Sequence, residues 1–464
     1  MNPSASRHRR RMIMIQPERV QTLSRKRSVR GKYVLYWMQS SQRAECNHAL
    51  EYAIRRANEM KLPLLAVFGL TDRYPEANER HYAFMLEGLQ ETQRALGLRG
   101  IRLVISHQSP ELAAVEFSRI ASLLVTDRGY TRIQRLWAKR VARYASCPVV
   151  QVETDVIVPV ELASDKDEYS AATLRPRIQR HLKDYLVPLK ETQLARDSLD
   201  FKFSGLDLEN MDAVLTGLKL DRSVGRVGAF VGGTANAKRL LREFISEKLK
   251  DYGKRSNHPE LDVQSHQSPY IHFGQISPLY IALEIIASGG PEEAIEAYLE
   301  QLIVRRELSV NFLRYNTRYT YFRCLPLWAR GTLNAHKKDR RAIVYTAAQL
   351  ERAETHDPYW NAAMREMLVT GKMHGYMRMY WGKKILEWTR SPIWAFRLAL
   401  KLNNKYFLDG RDPNAWNNIA WCFGLHDRAW AERNIFGKVR YMNAAGLVRK
   451  FDMDEYIKRV DALS

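Results

Sequence analysis

The sequence predicts an α/β doubly wound, parallel five-stranded sheet followed by an all-α second domain, and three observations predict it. Short apolar runs alternate with amphipathic segments over residues 32–154. Those runs are apolar throughout, as strands covered on both faces of a parallel sheet must be. Beyond Asn236 strand signals nearly vanish, and apolar residues recur at helical spacing.

The first strand is expected at Lys32–Met38, followed by helical spacing over Gln42–Met60. Pro63–Leu70 reads as the second strand and Glu79–Leu96 as its crossover helix. Ile101–His107, Ser122–Arg128 and Pro148–Thr154 complete five strands, with helices near Pro110–Ile120 and Thr131–Tyr144 between them. Such sheets bind ligands at the carboxyl ends of their strands, although no GxGxxG follows the first strand here. The α/β domain is drawn as residues 32–165 and a linker as 166–235, polar and marked by the arginine-proline segment Leu174–Arg177. The helical domain occupies 236–464, with helices expected over Lys238–Tyr252, Glu292–Arg314, Met373–Trp388 and Ile393–Leu402.

Composition narrows the function classes. The formal charge is +22, and ten Lys/Arg against Glu18 alone place +9 of it in residues 1–32. The rest of the chain stays basic, which favours a polyanion partner, nucleic acid first. Residues 1–31 read as a basic leader, expected to be disordered; without an apolar segment it is no secretory signal, while organelle targeting stays open. No run of eighteen apolar residues exists, so no membrane span is expected. The four cysteines form no CxxC pair, which points to a reducing, cytoplasmic setting and no zinc or cluster site; no metal site of any kind is expected.

Eight of the ten tryptophans lie between Trp328 and Trp430. Trp360, Trp381 and Trp388 fall within residues 355–388, and spacing alone reads them as helical packing. Gly225–Lys238 lacks the GK[ST] of a phosphate loop and reads as a helix start. Ser265 and Ser268 precede Pro269, a helix opening whose hydroxyls and free N–H groups suit a pyrophosphate. Asp409 and Asp412 sit in a Gly- and Pro-rich turn, and Arg378 could pair with one of them. Buried, such a pair is costly unless fully satisfied, which favours a functional role. Trp416, Trp421 and Trp430 flank His426, Asp427 and Arg428, a pattern suited to stacking on unpaired bases.

Together, WMQSSQRAECNHAL at 37–50, SPYIHFGQIS at 268–277, LIVRREL at 302–308, GKMHGYMRMYWGKKILEW at 371–388, NNKYFLDGRDPN at 403–414, LHDRAW at 425–430 and FGKVRYMN at 436–443 resemble the class II cyclobutane pyrimidine dimer photolyases. The resemblance runs from about residue 32 to the C-terminus. It implies an antenna-type α/β domain and a helical catalytic domain that holds FAD. By this resemblance Tyr252, Ser265, Ser268, Arg378, Asn403, Asp409 and Asp412 contact the FAD, with Asn403 facing flavin N5. Trp381, Trp360 and Trp388 match the family's electron-transfer chain, Trp381 innermost. Tyr376, Met379 and Trp421 would line the lesion pocket, and Arg255, Asn257, Arg428 and Trp430 would brace the duplex around the flipped-out dimer.

The implied activity is light-driven splitting of pyrimidine dimers in double-stranded DNA by a monomeric enzyme. A cryptochrome-like photoreceptor is the alternative. Three departures stand out. Gln301 occupies a position where the family has a glutamate, and its amide cannot supply a proton. Repair is therefore expected to be retained but less efficient. Ser256 interrupts the family's usual segment, which leaves Arg255 as the candidate for its intruding arginine. Cys46 stands where the antenna-domain signature usually has an acid, so a second chromophore of deazaflavin type stays open.

Overall fold

The computed structural model describes residues 15–26 and 30–463. The sheet has six strands: β1 (Val20–Ser24), β2 (Tyr33–Trp37), β3 (Leu64–Gly69), β4 (Arg102–Ser106), β5 (Ala121–Asp127) and β6 (Val149–Val152). Their order is β1-β6-β5-β2-β3-β4, parallel throughout except that β1 runs antiparallel to β6.

Every residue of β2, β3, β5 and β6 is buried, and alternate side chains feed two cores. Val34, Tyr36, Ala66 and Val125 pack under helices α1 (His48–Met60) and α2 (Glu79–Leu98). Leu35, Trp37, Val67 and Leu124 pack under α3 (Pro110–Phe117) and α4 (Arg132–Tyr144). The sheet is thus doubly wound.

The sixth strand corrects the expected count of five, and it comes from the leader. Val20–Ser24 alternates between half-buried and exposed, so it lacked the apolar run of an inner strand. The expectation of a disordered arm fails over Ile15–Lys26. Arg19, 1% exposed, donates to the carbonyls of Glu153, Val156 and Ile157 at 3.2, 3.0 and 2.5 Å. Part of the leader's charge therefore serves folding. Its remaining residues, 1–14 and 27–29, lie outside the described residues.

The linker is also more regular than expected. Ala171–Tyr185 is a helix that carries Pro176 as its sixth residue. Farther on, Phe201 and Phe203 pack edge-on against Tyr33, and Leu206 donates to the carbonyl of Ile105. This stretch lies along the sheet.

From Thr234 onward the described chain is helical, and it encloses two apolar clusters. Arg80 on α2 ties the two halves together, donating to the carbonyls of Met367, Leu368 and Tyr406 at 3.2, 2.6 and 2.8 Å. No described helix is long and apolar enough to cross a membrane.

Candidate active site

The site is built on the ends of four helical segments: Ser268–His272, Gly375–Glu387, Pro392–Tyr406 and Pro413–Cys422. Gly371 closes the preceding helix at φ +72°, where an added Cβ would strike Leu408 at 2.8 Å. The chain then turns into Gly375–Glu387, capped by His374, whose ring accepts from the Tyr376 N–H. Its other ring nitrogen lies 3.1 Å from the carbonyl of Ser256, which ties the 256–264 loop to this helix start.

One turn in, Arg378 meets Asp409 at 3.0 Å, and the guanidinium lies 3.7 Å over the Phe407 ring. Both side chains are nearly buried, at 12% and 8% exposure. Burial alone would raise the Asp409 carboxyl, but Arg378 and Lys372 outweigh it and hold the group below its usual range. Asp412 accepts from the Ala415 N–H at 2.6 Å and so caps the helix Pro413–Cys422. Burial and the neighbouring Asp409 push its carboxyl up to about 7. The two aspartates therefore divide: one is held ionised, the other sits near neutrality.

Asn403 is fully buried; its amide donates to Asn404 at 3.2 Å, and its Oδ1 has no partner. Nε of Arg378 and Nε1 of Trp381 are orphaned in the same way. Buried polar atoms without partners are rare, and each calls for an explanation. Ser268 lies 3.0 Å from the Lys372 amine, and Ser265 accepts from Tyr298 at 3.0 Å. Tyr252 packs edge-on against Tyr298, with ring centroids 5.2 Å apart, and burial pushes its phenol up to about 12. Two of the three orphans, on Asn403 and Arg378, fall on residues expected from the resemblance to contact FAD, and a ligand offering both donors and acceptors would complete them.

The tryptophans belong to two helices and a cap. Trp360, on Pro358–Thr370, donates through Nε1 to the carbonyl of Trp381 at 3.1 Å. Its ring lies 5.6 Å from that of Trp388, edge-on. Trp388 ends the helix that carries Trp381, so the contact sequence is Trp381, Trp360, Trp388. Trp388 is itself buried, at 3% exposure, behind Tyr345 and His356 at ring distances of 5.4 and 5.3 Å.

The surface groups separate into two sets. Trp430, 39% exposed, lies under Arg428 at 4.9 Å and Arg440 at 4.4 Å. Asp427 fixes this set, accepting from Arg440 at 3.0 Å and from Trp430 Nε1 at 3.3 Å. Tyr376 packs on Phe451, which meets His258 of the 256–264 loop; Arg255 and Asn257 are exposed at that loop's start. Met379 and Trp421 are half-buried, and the Met379 carbonyl faces the Cys422 thiol at 4.0 Å. Gln301 is exposed on the wide turn Glu300–Arg305 and makes no side-chain hydrogen bond among the described residues. Its neighbour Glu300 pairs with Arg175 at 2.8 Å.

Sequence reasoning missed Lys372, His374 and Arg440, and named Asp427 only as a neighbour of the flanking tryptophans. All four fall in the quoted motifs, but a single charged residue there carried no signal of burial or pairing. A separate cavity of about 120 Å³ opens at the carboxyl ends of β2 and β3, lined by Met38, Phe68, Tyr74, Trp137, Phe273 and Arg411 among others. Cys46 is not part of its wall.

A doubly wound domain is tied by Arg80 to a helical domain that holds a buried charged cluster and adjoining tryptophans. The family model for DNA photolyase matches residues 34–194. The chain is 52% identical to the deoxyribodipyrimidine photo-lyase of Methanothermobacter thermautotrophicus, covering 97% of this chain and 99% of that protein. It is 40% identical to the protein of that name from Potorous tridactylus, over 92% of this chain and 81% of the other. A class III photolyase structure from Agrobacterium tumefaciens superposes with a TM-score of 0.71 at 18% identity, covering 94% of this chain and 88% of that one. The chain belongs to the DNA photolyase family.

Proposed function

We propose that this chain is a class II cyclobutane pyrimidine dimer photolyase, a light-driven DNA repair lyase that holds FAD. The observation that carries the reading is the buried Arg378–Asp409 pair at 3.0 Å beside the orphaned Asn403 Oδ1, with Trp381 and Trp360 in contact behind it. Reduced FAD, when bound, supplies a photoexcited electron that opens the cyclobutane ring. The chain's residues do the rest. Arg378 and Asp409 fix the charge of the site, and Asn403 offers its free amide oxygen to flavin N5. Ser265, Ser268, Tyr252 and Asp412 hold the remainder of the dinucleotide.

Duplex DNA binds through phosphates on the basic face, with an affinity that falls steeply with salt. The dimer is flipped out at low cost because it stacks poorly. Trp430, braced by Arg428 and Arg440, fits the role of a wedge at the gap, and the exposed Arg255 and Asn257 would brace the duplex as well. Tyr376, Met379 and Trp421 meet the lesion. The protein acts as a monomer in the cytoplasm. The cavity at the strand ends suits a second, antenna chromophore of deazaflavin type, and Cys46, away from its wall, does not argue against one.

The test is repair of thymine-dimer DNA by photoreduced protein in light against dark. Light-dependent repair supports the lyase; flavin photochemistry without repair favours the cryptochrome-like alternative. Gln301→Glu should raise repair yield per photon, because a carboxylic acid can share a proton with the dimer carbonyls where an amide cannot. A yield that is unchanged or lower removes Gln301 from the lesion.

A further inference from the structure

Lys372 adds a half-buried cation with incomplete bonding to the orphaned atoms of this region. It sits in the short turn after Gly371, and its backbone is pinned by the Thr370 hydroxyl at 3.1 Å. An ammonium carries three donors. Its Nζ reaches Ser268 Oγ at 3.0 Å and lies 5.6 Å over the Phe230 ring. Among the described residues no carboxylate stands within ion-pair distance of it.

The acids that face it are committed elsewhere: Asp409 to Arg378, Asp262 to Lys248 and His266, and Glu366 to Arg459 and Tyr456. Burial pushes the amine down to about 8 even so. A charge held with one neutral partner and two idle donors is unfavourable unless a ligand completes it. Beside it, Ser265 accepts from Tyr298 and keeps its own proton to donate. Nδ1 of His266 is buried without a partner.

We propose that Lys372, with the Ser265 and Ser268 hydroxyls, anchors the diphosphate of the bound dinucleotide. The inference rests on the reading of this cluster as the FAD site. It gives this lysine a task distinct from that of Arg378, which faces the ring system. A compact ammonium suits a phosphate as a point charge.

The test separates diphosphate from ring. Full-length apoprotein is titrated with FAD and with riboflavin, which has the ring and no phosphate, following flavin fluorescence. Lys372→Gln should weaken FAD at least about tenfold, as loss of one charge-assisted contact does. It should leave riboflavin affinity unchanged, and Lys372→Arg should recover much of the loss. In the unaltered protein FAD affinity should hold below about pH 8 and fall above it, where the free amine loses its charge; in Lys372→Gln that dependence should vanish. Equal losses for FAD and riboflavin, or no loss for FAD, would overturn the anchor. Failure of the unaltered chain to bind either flavin would overturn the flavin reading, and the anchor with it.

Discussion

Asp409→Ala should yield a protein that purifies without flavin and melts well below the parent. Asp409 is the only carboxylate within 4.0 Å of Arg378 among the described residues, and it is also the acid that acts most strongly on Lys372. Removing it leaves the nearly buried Arg378 without an ion pair and takes from Lys372 the acid that acts most on it. Breaking one partner of a buried pair costs about 3–5 kcal/mol, because the surviving charge stays desolvated. Asp409→Asn keeps an acceptor for Arg378 and should lose less. The pH dependence has a definite sign. Burial raises the carboxyl, Arg378 and Lys372 lower it more, and the folded value ends below the unfolded one of about 3.9. Its contribution is therefore complete above about pH 5 and is lost as acid carries the protein down through the folded value. Thermal melting and the ratio of flavin to protein absorbance check both points. A variant with full flavin and an unshifted melt would show that the pair holds neither cofactor nor fold.

The same residues show what the sequence could and could not reveal. β2, β3, β5 and β6 were legible because inner strands of a parallel sheet are apolar on both faces, and every residue in them is buried. β1 was not, because an edge strand such as Val20–Ser24 needs only one covered face, and VQTLS carries no apolar run. The helix Ala171–Tyr185 was not legible, because Pro176 at its sixth position removes a backbone donor and the segment read only as a polar, arginine-proline linker.

In the site, the residues themselves suggested that Arg378 pairs with Asp409 or Asp412, whereas Asn403 was singled out only through the long motifs. Lys372 and Asp427 lie in the same motifs, yet their roles depend on burial and on which partner is missing or present. Lys372 is notable for the carboxylate it lacks, and Asp427 for holding Arg440 against Trp430. Neither property is a property of spacing. For the tryptophans, spacing read packing, and all three rings are buried in one cluster, but it could not give the contact order: Trp360 from the neighbouring helix touches both Trp381 and Trp388.

That contact order sets the second large effect. Trp381→Phe should abolish photoreduction of oxidised protein while sparing repair by protein reduced chemically. Trp381 is fully buried, its Nε1 has no partner, and its carbonyl receives Trp360 Nε1 at 3.1 Å. Replacing an indole whose N–H bonds to nothing forfeits no hydrogen bond, so the structural cost is the smaller ring alone, roughly 1–2 kcal/mol. The Trp360 bond to the backbone carbonyl survives the substitution. A folded protein with normal flavin content that cannot be photoreduced then isolates electron supply from binding. Trp388→Phe should behave differently. The inner two rings remain in contact, so light still separates charge, but without the outer ring the charge recombines before an external donor acts. Transient absorption distinguishes the two: no early signal in Trp381→Phe, and an early signal that decays unproductively in Trp388→Phe. Unchanged photoreduction in Trp381→Phe would rule out this chain as the electron path and return the three rings to simple core packing.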